Sequence, residues 1–224
     1  VKLGEEPYHA LCCRWRQRSI IYRHNDVTKA MARGLRKIKG VRVTDMEPNA
    51  GDPERPRARG DIELTVDGTV VVLDVGVVCP ATRAMVKASR THEVPGAAAA
   101  KAHKTKVDKY ARTPIKVHPM IIETGGRMHD EARKLIDGLG TTSEEDKKAR
   151  RQVFKTVGET LTRTQLYMMS NLVMQLAERK ERRQLELQRG GAVDLRPGDM
   201  WYEANRKRAH AGGNGRQGSG AGEK

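Results

Sequence analysis

The 224-residue sequence predicts an α/β fold in which one mixed central sheet is flanked by helices and followed by a C-terminal helical extension. The strongest indication is residues 61–78, where two runs rich in β-branched residues lie on either side of Asp67-Gly68, a two-residue turn typical of a β-hairpin. Helical periodicity before and after this hairpin predicts the helices that flank the sheet. One sheet covered by helices is the simplest packing that buries both kinds of element.

The elements before the hairpin are a helix, a strand and a loop. Apolar residues recur on one face between Asp26 and Gly40, which predicts a helix with Asp26 as its N-cap and Gly40 just after its end. The alternating residues 41–46 predict a strand. Residues 47–60, rich in proline and arginine, predict a basic loop.

After the hairpin, helical segments alternate with one further strand. Residues 81–90 and the alanine-rich residues 97–112 predict helices, residues 115–126 a strand ending in glycines, and residues 128–140 another helix. Residues 143–189 predict a long, strongly charged helix. We expect eight of its apolar side chains to dock on the domain: Val153, Val157, Leu161, Leu166, Met169, Leu172, Val173 and Leu176.

The composition narrows the class of ligand. Lys and Arg number 43 and Asp and Glu 28, so the formal net charge is 43 − 28 = +15. This excess predicts a polyanionic partner, either nucleic acid or an anionic membrane surface. No apolar run approaches the roughly 20 residues that span a bilayer, so we expect nucleic acid and no membrane. Three cysteines make no disulfide framework, which favours a reducing, intracellular setting.

Two aspartates, Asp61 and Asp74, interrupt the otherwise apolar strands of the hairpin. Pairing about the turn brings residues whose numbers sum to about 135 opposite each other, so these two carboxylates would face one another about 5 Å apart. They repel unless a cation lies between them, and magnesium accepts one or two carboxylates while keeping several waters. The alternative is that Asp61 ends a strand at the surface and Asp74 pairs with an arginine.

The helix after the hairpin brings basic groups near this pair. Lys106 and Tyr110 are four residues apart, so they share a helix face. A lysine beside a scissile phosphate can orient water and neutralise developing charge. The alternative is a solvated basic helix that binds the DNA backbone. Lys104 and Lys109 compete with Lys106 for the catalytic role.

Taken in order, Asp61, Asp74 within "LDVGV", and Lys106 and Tyr110 within "KVDKY" resemble the restriction-like endonuclease domain of site-specific non-LTR retrotransposons. That domain is a variant of the PD-(D/E)XK nuclease fold. "RHNDVTKAMARGLRK" is similar to the helix upstream of its core, and "IIETGG" to the strand and glycine turn that follow the core helix. The similarity covers roughly residues 9–140.

Two positions depart from the family pattern. Gly60 stands where the family usually has a proline, and Gly76 stands where the wider superfamily has its lysine. The resemblance implies that the lysine comes instead from the helix, as it does in these retroelements.

The resemblance implies a restriction-endonuclease-like core with divalent-metal-dependent DNA endonuclease activity. Asp61 and Asp74 would hold Mg²⁺ or Mn²⁺, Lys106 would assist the attacking water and Tyr110 would support it. We interpret Glu123 as the end of a strand rather than a further acid. The implied partners are double-stranded target DNA, element RNA and the upstream reverse transcriptase portion of the same polyprotein. The implied location is nuclear, and the nick would prime reverse transcription.

The family also carries a zinc knuckle directly before the upstream helix. His9 and Cys13 would be its last two ligands, and the first two would precede Val1, so we expect no bound zinc in this chain. The expected regions are a knuckle and linker remnant (1–22), the nuclease core (23–140), a charged helical extension (141–189) and a disordered basic tail (190–224).

Basic residues lie on both sides of the acids. We expect DNA phosphate contacts, which bind without reading sequence, from Arg55, Arg57, Arg59, Arg83, Lys87, Lys104 and Lys109. His24 is interpreted as a helix-start or DNA-proximal residue, not a ligand. Two other functions fit the sequence: a catalytically inactive nucleic-acid-binding module of the same fold, and a structural protein whose basic helices bind RNA.

Overall fold

The structure, a computed structural model, describes Leu11, residues 17–51 and residues 59–188. Its elements are α1 (Gln17–Leu35), β1 (Val41–Met46), β2 (Ile62–Val66), β3 (Thr69–Val78), α2 (Arg83–Ser89), α3 (Ala97–Tyr110), β4 (Val117–Glu123), α4 (Asp130–Asp137) and α5 (Glu144–Gln188). The described residues fall into two units, one ending at Leu172 and the other containing residues 173–188. The predicted α/β class is confirmed.

The four strands form one mixed sheet in the order β1-β2-β3-β4. β1 and β2, and β2 and β3, pair antiparallel, whereas β3 and β4 pair parallel. The hairpin has the register expected from its turn, with Ile62 opposite Leu73. Asp67 and Gly68 have φ values of 48° and 81°, as a type I′ turn requires. β3 extends past the start of β2, so residues 74–78 pair with β4 but not with β2.

Helices cover both faces of the sheet. Because side chains alternate along a strand, Leu73 and Val75 join the main core with α1, α4 and α5, while Val72 faces a smaller core under α3. Asp74 and Gly76 share the α3 face with Val72. This alternation therefore places an acid and a small residue opposite the helix that carries the predicted lysine.

The start of the first helix differs from the prediction. α1 begins at Gln17, so Asp26 lies inside the helix and is not its N-cap. Residues 17–25 contain no proline or glycine to break the helix, and the buried Arg23 donates from Nη1 to the carbonyl of Leu11 at 3.0 Å. This contact anchors the early turns. The helix ends at Leu35 and residues 36–40 form turns, so Gly40, which has a φ of 77°, lies in a turn and is not the predicted C-cap.

The predicted docking stripe of α5 is correct in its first half. Val153, Val157 and Leu161 are buried in the main core. The prediction is wrong for the side chains that follow, because the buried stripe continues through Thr164 and Met168. Four side chains expected to dock are exposed: Leu166, Met169, Val173 and Leu176. Among the described residues, no helix has the length and apolar character needed to cross a membrane.

Candidate active site

The two predicted acids meet where β3 runs past β2. The regular ladder ends at Ile62, and the backbone amide of Asp61 donates to the carbonyl of Leu73 at 2.7 Å. The Asp61 carboxylate oxygen Oδ2 accepts the backbone amide of Val75 at 2.6 Å. The carboxylate of Asp61 thus accepts, at the edge of β3, a backbone hydrogen bond that a neighbouring strand would otherwise accept. The carboxyl groups of Asp61 and Asp74 are close enough that each shifts the pKa of the other.

Lys106 reaches this pair from α3. Its Nζ donates to Oδ2 of Asp74 at 2.5 Å and lies 3.4 Å from the carbonyl oxygen of Val75. It lies on the inward face of α3 with the buried Tyr110, whereas Lys104 and Lys109 are exposed. The phase of α3 therefore brings Lys106 to Asp74.

Gly76 provides the space that Lys106 occupies. A Cβ atom at this position would lie 3.1 Å from Cε of Lys106 and 2.8 Å from Cδ1 of Ile121. The space beside the strand two residues after Asp74 is thus filled by a lysine from the neighbouring helix.

The two carboxyl groups have opposite pKa shifts. Burial raises the pKa of the Asp74 carboxyl group, and the charge of Asp61 adds to this effect, while Lys106 opposes it. Burial acts in the same direction on Asp61, but its interactions with His24 and its hydrogen bonds with Asp74 and the amide of Val75 together outweigh burial and leave its pKa below the ordinary value. The two carboxylates lie next to each other, so an added cation would stabilise the ionised pair.

An open cavity of about 320 Å³ lies beside the acids, bounded by α1, residues 75–77 of β3 and Lys106. His24 of α1 lines it, and its Nε2 lies 3.2 Å from Oδ1 of Asp61. The sequence did not indicate this contact, because no periodicity or turn relates two residues so far apart in the chain. The only signal was the position of His24 within the motif "RHN".

Tyr110 acts on the segment that leads into Asp61. Its ring is buried in the smaller core. Its hydroxyl group donates to the carbonyl of Arg59 at 2.8 Å and accepts from Nζ of Lys109 at 2.7 Å. Because Arg59 lies two residues before Asp61, this hydrogen bond fixes the backbone that delivers the first acid. Tyr110 thereby supports the site by holding the backbone of the segment before Asp61.

Glu123 ends β4, as the sequence indicated. Its carboxylate is buried, and Oε1 accepts the backbone amide of Ala99 at 3.2 Å in the first turn of α3. The N-cap residue of that helix, Gly96, has no side chain to do this. A carboxylate at a helix N-terminus also complements the helix dipole. Glu123 thus positions the helix that bears Lys106.

The available ligands suit a hard cation. In the described part of the chain, no group of three or more His, Cys, Asp or Glu side chains is arranged to hold a metal ion. A structural zinc site needs four such ligands, whereas Mg²⁺ uses one or two carboxylates and completes its shell with waters and phosphate oxygens. Asp61 and Asp74 beside an open cavity therefore fit Mg²⁺ or Mn²⁺.

Several predicted residues lie outside the described residues. These are the zinc-knuckle candidates and two predicted DNA contacts: His9, Cys13, Arg55 and Arg57. The predicted basic tail, residues 190–224, also lies there. The other predicted DNA contacts are exposed: Arg59, Arg83, Lys87, Lys104 and Lys109.

No protein-family model matches this sequence, and no curated protein shows significant similarity to it. The proposed function below therefore depends on the geometry of the two acids, the lysine and the cavity, together with the motif resemblance.

Proposed function

We propose that this chain is a divalent-metal-dependent DNA endonuclease domain that hydrolyses phosphodiesters. The observation that carries the proposal is the convergence of Asp61, Asp74 and Lys106 beside an open cavity. Buried carboxylates are costly unless they are paired or bind a cation. Lys106 pairs with Asp74, whereas Asp61 is held by hydrogen bonds from His24 and the backbone amide of Val75. Two adjacent carboxylates beside a cavity in a strongly basic protein suit a cation together with a phosphate.

Each residue has a role in this hydrolysis. Asp61 and Asp74 would hold the divalent ion, which when bound polarises the phosphate and lowers the pKa of a water molecule. Lys106 would orient the attacking water and neutralise charge that develops on the phosphate. Arg59 and Lys109 are exposed beside the segment that precedes Asp61 and would contact neighbouring phosphates of the DNA.

The resemblance to non-LTR retrotransposons extends the proposal. The extended proposal is that the chain has a restriction-endonuclease-like core, follows a reverse transcriptase portion of the same polyprotein and acts on double-stranded DNA in the nucleus. The nick would leave a 3′ hydroxyl that primes reverse transcription, with element RNA as a further ligand. The order and spacing of Asp61, Asp74, Lys106 and Tyr110 support this extension, as does the lysine supplied by α3 next to Gly76.

A nicking assay on supercoiled plasmid tests the activity, with Mg²⁺, with Mn²⁺ and with a chelator. It compares the unmodified chain with Asp74→Asn and Asp67→Asn. The first substitution removes the negative charge but keeps an oxygen that can accept from Lys106. The second removes the same charge at the exposed turn of the same hairpin, where asparagine tolerates a positive φ.

We expect metal-dependent nicking by the unmodified chain and by Asp67→Asn, and a loss on the order of 100-fold or more in Asp74→Asn. DNA binding, measured with Ca²⁺, should persist in all three proteins. Equal loss of binding and cleavage in Asp74→Asn would show that the acid is structural. Salt-sensitive binding without nicking in either metal would identify an inactive nucleic-acid-binding module.

A further inference from the structure

His24 contacts the acid pair but has no role in the hydrolysis described above. Its Nε2 lies 3.2 Å from Oδ1 of Asp61. The side chain of His24 is 33% exposed and lines the cavity, and that of Asp61 is 17% exposed. Because an ionised carboxylate only accepts hydrogen bonds, Nε2 carries the donated hydrogen.

The contact with His24 completes the support of the Asp61 carboxylate. Oδ2 accepts from the backbone amide of Val75, and Oδ1 accepts from the imidazole. Two donors on separate elements fix the rotation of the carboxylate plane, which one donor leaves free. Each oxygen keeps a further lone pair that can bind a cation. Mg²⁺ demands nearly ideal octahedral ligand positions, so a carboxylate oriented in advance favours its binding.

The helix that carries His24 is firmly placed. One turn further along α1, Val27 is fully buried in the main core, and Met31 and Leu35 continue that buried face. On the other side of the pair, Lys106 holds Asp74 from α3. Each acid is therefore held by a different helix: Asp61 by α1 through His24, and Asp74 by α3 through Lys106.

We propose that His24 is a positioning residue that orients Asp61 for binding of the divalent cation, an inference that rests on the proposed function. Hydrogen-bond partners of metal ligands typically contribute about 10–100-fold to metal affinity or activity. The competing role is a direct contact with a DNA phosphate, because the imidazole also lines the cavity.

The test measures Mn²⁺ binding to the full chain without DNA by electron paramagnetic resonance, alongside plasmid nicking and thermal unfolding. His24→Ala removes the donor, whereas His24→Gln keeps an N–H group at a similar reach. His92→Ala is the matched control, because His92 is exposed and its Nε2 lies 3.2 Å from Glu93, away from the acids.

We expect His24→Ala to weaken Mn²⁺ binding by roughly 10–100-fold, His24→Gln to recover most of that loss, and His92→Ala to bind as the unmodified chain does. Unchanged Mn²⁺ binding with a raised KM for DNA in His24→Ala would overturn the inference and indicate a phosphate contact. If His24→Ala does not fold, His24→Phe, which keeps a ring but has no donor, replaces it: weakened Mn²⁺ binding in the folded protein supports the inference, and unchanged binding overturns it.

The outcome also separates this inference from the proposed function. If the unmodified chain neither binds Mn²⁺ nor nicks DNA, the proposed function fails and the inference fails with it. If the unmodified chain binds Mn²⁺ and nicks DNA, and all three variants do so equally, only the role of His24 is wrong.

Discussion

Gly76 determines where the lysine of the proposed site can lie. An added Cβ would approach Cδ1 of Ile121 at 2.8 Å and Cε of Lys106 at 3.1 Å. Ile121 is fully buried and cannot move easily, so Lys106 would shift away from Asp74. We expect Gly76→Ala to reduce the nicking rate by roughly tenfold or more, since small misplacements of catalytic groups are costly. DNA affinity should change little.

Gly158→Ala is the control for this substitution. A Cβ at Gly158 on α5 would meet no atom within 4 Å, so alanine should stabilise the helix by about 1 kcal/mol. Nicking by Gly158→Ala should equal that of the unmodified chain. If Gly76→Ala also nicks at the full rate, Lys106 does not need its place beside Asp74.

Tyr110 offers a second test on single residues. Tyr110→Phe removes the hydroxyl that donates to the carbonyl of Arg59, which should lower the free energy of unfolding by about 1 kcal/mol. The segment that leads into Asp61 would loosen, so kcat for nicking should fall roughly tenfold. Thr164→Val removes a buried hydroxyl that donates within its own helix. It should leave kcat unchanged, and an equal fall in both variants would indicate a general stability effect.

At the level of whole elements, the hairpin and α3 were predictable because their signals are local. Asp67-Gly68 specifies the turn, and the turn specifies the register of β2 and β3. The spacing of Lys106 and Tyr110 specifies a shared helix face. The start of α1 and the contact between His24 and Asp61 depend on tertiary packing, so no local pattern reveals them.

The misassigned stripe of α5 has a local cause. Apolar residues occur on more than one face between residues 161 and 176, so periodicity alone does not choose among them. The buried face contains Thr164, a polar residue that the apolar pattern excludes. Its hydroxyl donates to the carbonyl of Thr160 at 3.0 Å, which satisfies the hydrogen bond and permits burial.

Asp146 joins the start of α5 by hydrogen bonds to the turns that follow α1 and α4. Its side chain accepts from the amide and hydroxyl of Thr141 at 2.7 and 2.6 Å, and from the amide of Lys39 at 2.9 Å. The hydrogen bonds from Thr141, followed by that from Lys39, lower the pKa of Asp146 from 3.8 to about 2. The folded state therefore binds this proton more weakly than the unfolded state does.

It follows that Asp146 stabilises the fold above the unfolded pKa near 3.8, and that this stability is lost as the pH falls through about 2. We expect Asp146→Asn to lower the free energy of unfolding near neutral pH and to flatten its dependence on pH across that window. Glu145→Gln, one residue away and exposed, removes the same charge as a control. Denaturant unfolding at a series of pH values measures both, and matching curves for the two variants would contradict the role of Asp146.

For the molecule as a whole, the net charge of +15 makes salt the main control on binding to a polyanion. Each phosphate contact on duplex DNA contributes about −0.9 to the slope of log K against log salt. The slope therefore counts contacts, and a substitution changes it only if its side chain lies in the interface.

This gives a direct test of where DNA lies. Arg59 is exposed on the segment that leads into Asp61, so DNA placed at the acid pair would pass close to it. We expect Arg59→Ala to reduce the steepness of the slope by about 1, measured by fluorescence anisotropy of a labelled duplex in increasing KCl. Lys155→Ala, on α5 with its side chain 66% exposed, should leave the slope unchanged. The reverse result would place the DNA along α5, and the acid pair would then lie outside the interface and could not be the centre of cleavage.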